Sequence, residues 1–72
     1  MTRDEFLSEM QDVLQTESEL TFDTVLADLD EWDSLSIMAT MAFANKHFGL
    51  SLKMADFAEM ETLEDIAQKV GL

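Results

Sequence analysis

Cysteine is absent from the sequence, and histidine occurs only once, as His47. Without cysteine the chain can form no disulfide, no cysteine-ligated metal site and no protein thiol nucleophile. One histidine cannot build a histidine-rich metal site. A Ser/His/Asp triad would have to be positioned entirely by a small domain in which no pocket is obvious. We therefore expect His47 to be a solvated or partly packed helix residue.

Proline is also absent, and only two glycines occur among the 72 residues, which favours helices joined by short connections over a turn-rich sheet. Hydrophobic residues make up 47% of the chain, enough for a globule and too many for a disordered tail. This length limits the chain to one thin-cored domain, which we expect to cover residues 1–72.

No apolar run reaches the length of a membrane span, and the N-terminal stretch MTRDEFLSEM lacks the apolar core of a signal peptide. We therefore expect a cytoplasmic protein that does not insert into a membrane. Because the candidate helices begin and end near the ends of the chain, we also expect a free-standing protein rather than a segment cut from a larger synthase. We expect a monomer, although the sequence leaves self-association through the apolar second helix open.

Basic residues are scarce: four lysines and arginines face sixteen aspartates and glutamates, and the formal net charge is −12. This charge repels the phosphates of nucleic acids and of anionic membranes, so neither is expected as a partner. A basic protein surface would be attracted, and the long-range field would speed the encounter.

Apolar spacing predicts an all-α fold with three main helices, one short helix and a long first loop. The predicted helices cover residues 3–15, 34–48, 55–60 and 63–70. Thr2 and Glu5 form a capping box for the first helix, Gly49 ends the second, and Thr62 caps the last. Apolar residues should pin the loop, residues 16–33, onto the bundle: Leu20, Phe22, Val25, Leu26 and Leu29.

The acidic loop does not match a calcium-binding motif. Counted from Asp28, the sixth position is Asp33 rather than glycine and the twelfth is Ala39 rather than glutamate. Paired catalytic carboxylates would need an apolar pocket to separate their pKa values, whereas these acids lie among other acids in a loop that we expect to be exposed. We therefore expect no catalytic residues and no metal site.

The stretch DEWDSLSIM, residues 30–38, places a serine at the start of an apolar run. Aspartate and serine are both favoured as helix N-caps, so Asp33 or Ser34 could cap the second helix. From local physics alone, capping is the stronger interpretation of Ser34, ahead of a role as an attachment site.

Further along the chain, several features resemble the acyl carrier protein family. Asp33-Ser34-Leu35 is similar to the Asp-Ser-Leu signature of that family, and it follows a long acidic loop and opens the second helix. Phe48-Gly49 ends that helix at the position that is usual in the family. TLEDIAQKV, residues 62–70, looks like the last helix of the family. The resemblance covers about residues 3–70.

The resemblance implies that Ser34 carries 4′-phosphopantetheine, transferred from coenzyme A by a magnesium-dependent phosphopantetheinyl transferase. The thiol of that group would hold an acyl chain as a thioester for acyl-loading and acyl-transferring enzymes. Asp33 would help the transferase to recognise the serine, with Leu35 completing the motif, and the carrier itself would not be an enzyme. The cargo stays open between fatty acyl, polyketide, aminoacyl and other acyl groups.

The chain departs from the pattern of fatty acid carriers at two places. Glu31 and Trp32 stand where a glycine is usual, and the second helix lacks the glutamates that partner enzymes read, since its only formal charge is Lys46. These departures favour a specialised carrier. Trp32 either anchors the acidic loop, the commoner fate of a lone indole, or contacts partners.

The second helix also has more apolar residues than one buried face can hold. We expect core positions at Met38, Met41, Ala42 and Phe48. The surplus comprises Ile37, Ala39, Phe43 and Ala44. This surplus is either ordinary exposed surface and deeper packing, or a docking patch to which methionine adds adaptability. In the second case we expect partner contacts at Trp32, Ile37, Met38 and Lys46.

Two other classes of function compete with the carrier. An acidic helical interaction module would bind basic partners without a prosthetic group, and Ser34 would then serve only as a cap. A small hydrolase using Ser34 lacks a convincing base. Conversion by a transferase separates the carrier from the interaction module.

Overall fold

The computed structural model describes residues 1–72 and is all-α, which confirms the predicted fold class. Its elements are α1 (Arg3–Leu14), a 3₁₀ turn (Leu26–Asp28), α2 (Ser34–Phe48), α3 (Met54–Ala58) and α4 (Leu63–Lys69). The bounds differ from the predicted ones by no more than two residues at any end. No helix of the structure combines the length and the apolarity that crossing a membrane requires.

Capping boxes set the starts of α1 and α4, as the sequence predicts. The Glu5 N–H donates to the Thr2 hydroxyl at 3.1 Å, and the Thr2 N–H donates to the Glu5 carboxylate at 2.8 Å. At α4, the Asp65 N–H donates to the Thr62 hydroxyl, while the carboxylate of Asp65 accepts from the Glu61 and Thr62 N–H groups at 2.8 and 3.1 Å. These backbone donors lower the pKa of Glu5 and of Asp65 from their ordinary values.

The ends of α1 and α2 both pass through the left-handed backbone region. Gly49 has φ +68° after α2, which confirms it as the predicted stop. Gln15 has φ +53° after α1, an unusual conformation for a residue with a side chain. The Thr16 N–H donates to the Gln11 carbonyl at 3.2 Å, so the carbonyls at the end of α1 find partners despite this conformation.

The first loop is tied by its backbone to the connection between α3 and α4. Val25 and Thr62 form an isolated antiparallel bridge. The Leu26 N–H donates to the Glu61 carbonyl at 2.8 Å, and the Leu63 N–H donates to the Thr24 carbonyl at 3.2 Å. These bonds hold the loop against the bundle at the end where α2 begins.

Four of the five loop residues predicted to pin the loop do so by burial. Leu20 and Leu26 are buried, and Phe22 and Leu29 are half-buried against the core. The prediction is wrong for the side chain of Val25, which is 41% exposed. Val25 holds the loop through its backbone bridge instead.

Residues from three of the helices and the first loop make up one hydrophobic core. The buried members are Phe6, Met10, Leu14, Leu20, Leu26, Phe43, Ala44, Leu63, Ile66, Ala67 and Val70. They include Leu63, Ile66 and Ala67 of α4 and Val70 just after it. The Arg3 guanidinium links α1 to the first loop, to α4 and to the end of the chain. It lies 4.1 Å from the Phe22 ring centroid, pairs with Glu64 and donates to the Leu72 carbonyl.

The face of α2 that meets the core differs from the prediction. The buried residues of this helix are Ser36, Thr40, Phe43 and Ala44. The predicted core residues Met38 and Ala42 are exposed, and Met41 and Phe48 are only half-buried. Because α2 is apolar on nearly every side and carries a serine and a threonine at core positions, apolarity alone did not reveal its buried face. Thr40 is accommodated because its hydroxyl donates to the Ser36 carbonyl at 2.9 Å.

Candidate functional site

Ser34 is the first residue of α2, and its side chain is exposed and makes no hydrogen bond within the chain. The N-cap is Asp33, whose carboxylate accepts from the Ser36 N–H at 2.9 Å. In return the Ser36 hydroxyl accepts from the Asp33 N–H at 2.9 Å and donates to the Asp33 carbonyl at 3.0 Å. Of the two possible caps, the helix uses Asp33, and the hydroxyl of Ser34 is left available.

The backbone around Ser34 presents unused donors. The first helical hydrogen bond of α2 runs from the Ile37 N–H to the Asp33 carbonyl, and the Ser36 N–H is taken by the cap. The N–H groups of Ser34 and Leu35 have no acceptor in the chain, as is usual for the first turn of a helix. The positive end of the helix dipole lies at the same point, and no acid occupies the first turn.

The Trp32 ring is half-buried and packs against the core and α3. Its ring centroid is 6.1 Å from that of Phe57 on α3, with the rings inclined at 52°. Both rings line a cleft of about 640 Å³ between the loop and α3, which Ile37 and Met54 also line. The structure thus supports the loop-anchor interpretation of Trp32, and the half-buried Ile37 faces this same cleft.

A second cleft, of about 530 Å³, lies between the end of α1 and the start of α2. We call it the α1–α2 cleft. We define it by Val13 of α1 and Gln15 just after it, Glu31 and Asp33 of the loop, and Leu35 and Met38 of α2. Asp33 and Leu35, the two chain neighbours of Ser34, therefore both line this cleft.

Lys46 and His47 are not part of this region. Lys46 lies twelve residues beyond Ser34, which places it about 18 Å away along the helix axis. Both side chains are exposed in the last turn of α2, where positive charge is favourable, and the His47 ring lies 4.8 Å from the Phe43 ring. His47 is thus the partly packed helix residue that the sequence predicts.

A family model described as the phosphopantetheine attachment site matches residues 4–70 of the chain. The chain belongs to this phosphopantetheine-attachment family. The expected resemblance to acyl carrier proteins is thereby confirmed, as is the expected cofactor, because members of the family bear covalent 4′-phosphopantetheine. Proteins of the family are generally non-catalytic carriers that work with phosphopantetheinyl transferases and acyl-handling enzymes. Searches of curated proteins and of solved structures gave no match.

The residues at the start of α2 fit the family's prosthetic group. A phosphodiester carries negative charge and accepts hydrogen bonds, and here it would meet the free N–H groups of Ser34 and Leu35 at the positive end of a 15-residue helix. The nearby carboxylate of Asp33 is already engaged by the Ser36 N–H. No group of three or more His, Cys, Asp or Glu side chains is placed to hold a metal ion.

The sequence interpretation missed the role of Ser36. Asp33 and Ser36 are three residues apart at the start of an apolar run, the spacing of a capping box, with serine in the place of the usual glutamate or glutamine. That spacing is visible in the sequence and would have assigned the cap to Asp33. The contribution of Val13 and Gln15 to the α1–α2 cleft carries no comparable signal, since it depends on how two helices pack.

Proposed function

We propose that the chain is a carrier that bears 4′-phosphopantetheine on the hydroxyl of Ser34. The observation that carries the proposal is the division of roles at the start of α2. Asp33 and Ser36 complete the cap between themselves, whereas Ser34 is exposed and unpaired. Ser36 is a poor alternative site because it is only 8% exposed and its hydroxyl is already engaged twice.

The arm supplies a thiol on which an acyl group is held as a thioester, which the chain cannot provide because it has no cysteine. The residues of the chain position the attachment point at a helix terminus that faces solvent and stabilise the phosphodiester through backbone N–H groups. The Asp33 carboxylate serves the transferase as a recognition element beside the serine. The chain performs no catalysis of its own.

The cargo is an acyl group of a fatty acid, polyketide or specialised lipid or acyl-transfer pathway. We favour a specialised pathway because α2 carries no acidic residue, whereas fatty acid carriers are expected to display several there. The single domain over residues 1–72 would act as a cytoplasmic monomer. Its net charge of −12 favours binding to basic partner enzymes and disfavours binding to nucleic acids.

Transfer of the arm in vitro tests this function. The purified protein is incubated with coenzyme A, magnesium and a broad-specificity phosphopantetheinyl transferase, and its intact mass is measured. We expect the gain of one phosphopantetheinyl group by the native protein and by Ser8→Ala, a matched control in which an exposed serine of α1 is removed. Ser34→Ala should keep the helical circular dichroism spectrum and gain nothing.

Two outcomes would overturn the proposal. If folded native protein gains no mass, even with transferases from its own host, the chain is an acidic interaction module and a partner pull-down becomes informative. If Ser34→Ala is loaded as well as the native protein, the arm is attached elsewhere.

A further inference from the structure

We infer that Phe57 of α3 positions the attachment site: its ring supports Trp32, and Trp32 holds the segment that leads into Ser34. The inference rests on the proposed function, because Ser34 is the residue that we propose to receive the arm. Phe57 is only 4% exposed, so it affects loading through Trp32 and without contacting the transferase. It is therefore a positioning residue.

The segment before Ser34 has a single side-chain anchor. Among residues 30–35, Trp32 is the only hydrophobic residue that packs against the core. The other hydrophobic residue of this stretch, Leu35, is 76% exposed. The Trp32 N–H donates to the Leu29 carbonyl at 3.1 Å, so the backbone turns at the same residue. On the loop side of Ser34, the position of the chain therefore depends on the Trp32 side chain.

Phe57 supplies the contact that holds Trp32 from α3. The two ring centroids are 6.1 Å apart and the rings are inclined at 52°, within the range of favourable aromatic pairs. The loop has a second tie to the region after α3, since the Leu26 N–H donates to the Glu61 carbonyl at 2.8 Å. Of the two ties, only the one between Trp32 and Phe57 lies within two residues of Ser34 in the chain.

The anchor is continuous with the cap of α2. Asp33 follows Trp32 directly, and its N–H and carboxylate both bond to Ser36 at 2.9 Å. Without the Phe57 ring, residues 30–33 should fray, and the cap that depends on their position should be occupied for less of the time. The transferase would then have to order this segment on binding. The expected kinetic result is a higher KM for the carrier with little change in kcat.

Loading kinetics and Trp32 fluorescence test the inference together. Phe57→Ala removes the ring. Phe48→Ala is the matched control, because Phe48 also packs against the core but lies at the opposite end of α2 from Ser34. All variants are compared at a temperature at which circular dichroism shows them folded.

We expect Phe57→Ala to raise the KM for loading by a broad-specificity phosphopantetheinyl transferase by about three- to tenfold, with kcat within about twofold of the native value. Acrylamide should quench the fluorescence of Trp32, the only tryptophan, more strongly in this variant than in the native protein. Phe48→Ala should leave both the KM and the quenching close to native, although it also removes an aromatic ring from the core.

A double-mutant cycle separates the positioning role from a direct contact. Trp32→Ala should also raise the KM, and the double variant should be loaded no more slowly than Trp32→Ala alone, because both changes break one contact. Phe57→Leu keeps an apolar side chain at this place and should recover part of the loss. It replaces Phe57→Ala if that variant does not fold.

The possible failures are distinct. If the native protein is not loaded at all, the carrier function falls and the positioning role with it. If the native protein is loaded and folded Phe57→Ala has the native KM, only the positioning role is wrong. A high KM for Trp32→Ala alone would then make Trp32 a direct contact of the transferase.

Two further results would also overturn the inference. Losses that multiply in the double variant would show that the two rings act independently. Native KM and native quenching in Phe57→Leu, where it stands in for an unfolded Phe57→Ala, would show that the Phe57 ring is not needed to hold Trp32.

Discussion

Asp33 and Ser36 cap α2 reciprocally, each donating its backbone N–H to the side chain of the other at 2.9 Å. Ser34 lies between them in the chain and takes no part in the cap. Helix initiation and the proposed attachment of the arm therefore involve different residues, although all three fall within one turn. Because of this separation, we expect that Ser34, the proposed attachment residue, can be substituted without loss of the helix.

Asp33 should have two separable roles. Asp33→Ala removes the N-cap and should lower the free energy of unfolding by about 1 kcal/mol, measured by urea denaturation. Asp33→Asn retains an oxygen that can accept from the Ser36 N–H, so its stability should lie within about 0.5 kcal/mol of the native value. Both variants should be loaded more slowly because both lack the carboxylate.

Ser8→Ala is a control for these measurements, since Ser8 is exposed on α1. Native-like loading of Asp33→Asn would remove the recognition role of the carboxylate. Native-like stability of Asp33→Ala would show that the cap contributes nothing measurable.

Trp32 should contribute to stability through Phe57. Trp32→Ala should lower the free energy of unfolding by about 2 kcal/mol, less than the loss at a fully buried tryptophan, because the ring is only half-buried. A double-mutant cycle with Phe57→Ala should give a coupling of about 0.5–1.5 kcal/mol, as expected for an aromatic pair. The chain has one tryptophan and no tyrosine, so native Trp32 fluorescence should also shift to longer wavelength on unfolding.

Unchanged stability of Trp32→Ala would contradict the role of Trp32 as a loop anchor. A Trp32→Ala variant that unfolds like the native protein but is loaded slowly would make this side chain a partner contact instead of a loop anchor.

The left-handed residues at the ends of α1 and α2 should respond in opposite directions. Gln15→Gly removes the strain of a side chain at φ +53° and should raise the free energy of unfolding by about 0.5–1 kcal/mol. Gly49→Ala should lower it by about 1 kcal/mol, and through the backbone alone, since an added Cβ would meet no atom within 4 Å. Changes of the same sign in both variants would contradict this explanation.

The pKa of Asp65 gives a prediction about pH. The Glu61 and Thr62 N–H groups lower the pKa of this carboxyl from its ordinary value of 3.8, so the charged form favours the folded state. The resulting stabilisation is fully present above about pH 4 and is lost as the pH falls through the lower pKa of the folded state. Asp65→Asn should thus be less stable than the native protein at pH 7.

The difference in the free energy of unfolding between Asp65→Asn and the native protein should shrink steadily below pH 4. Urea denaturation at a series of pH values measures this difference. Asp12→Asn, at an exposed acid of α1 outside any cap, is the control for the loss of one negative charge. A stability difference for Asp65→Asn that does not change between pH 7 and pH 3 would contradict the assignment.

Much of the fold could be predicted because local signals agree with tertiary structure. Thr2 with Glu5, Thr62 and Gly49 mark helix ends by side-chain chemistry that acts within a few residues, and all of them hold in the structure. The orientation of α2 could not be predicted in the same way. Its buried face includes Thr40, while Met38 is exposed, and only packing against the rest of the bundle decides between them.

The candidate site also has one part that the sequence shows and another that depends on tertiary packing. Asp33, Ser34 and Leu35 form a local motif that the sequence displays directly. The two clefts depend on how distant segments pack, since Trp32 meets Phe57 at one cleft and Val13 and Met38 line the other. A sequence pattern does not report such contacts, which is why the sequence alone left both possible roles of Trp32 open.

Mapping the attached group to a single residue decides whether Ser34 carries the arm. The protein is loaded with phosphopantetheine, digested, and the modified residue identified by tandem mass spectrometry of the peptide that contains both Ser34 and Ser36. We expect the group on Ser34 alone, because Ser36 is buried in the cap. Modification of Ser36, or of any residue outside this peptide, would contradict it.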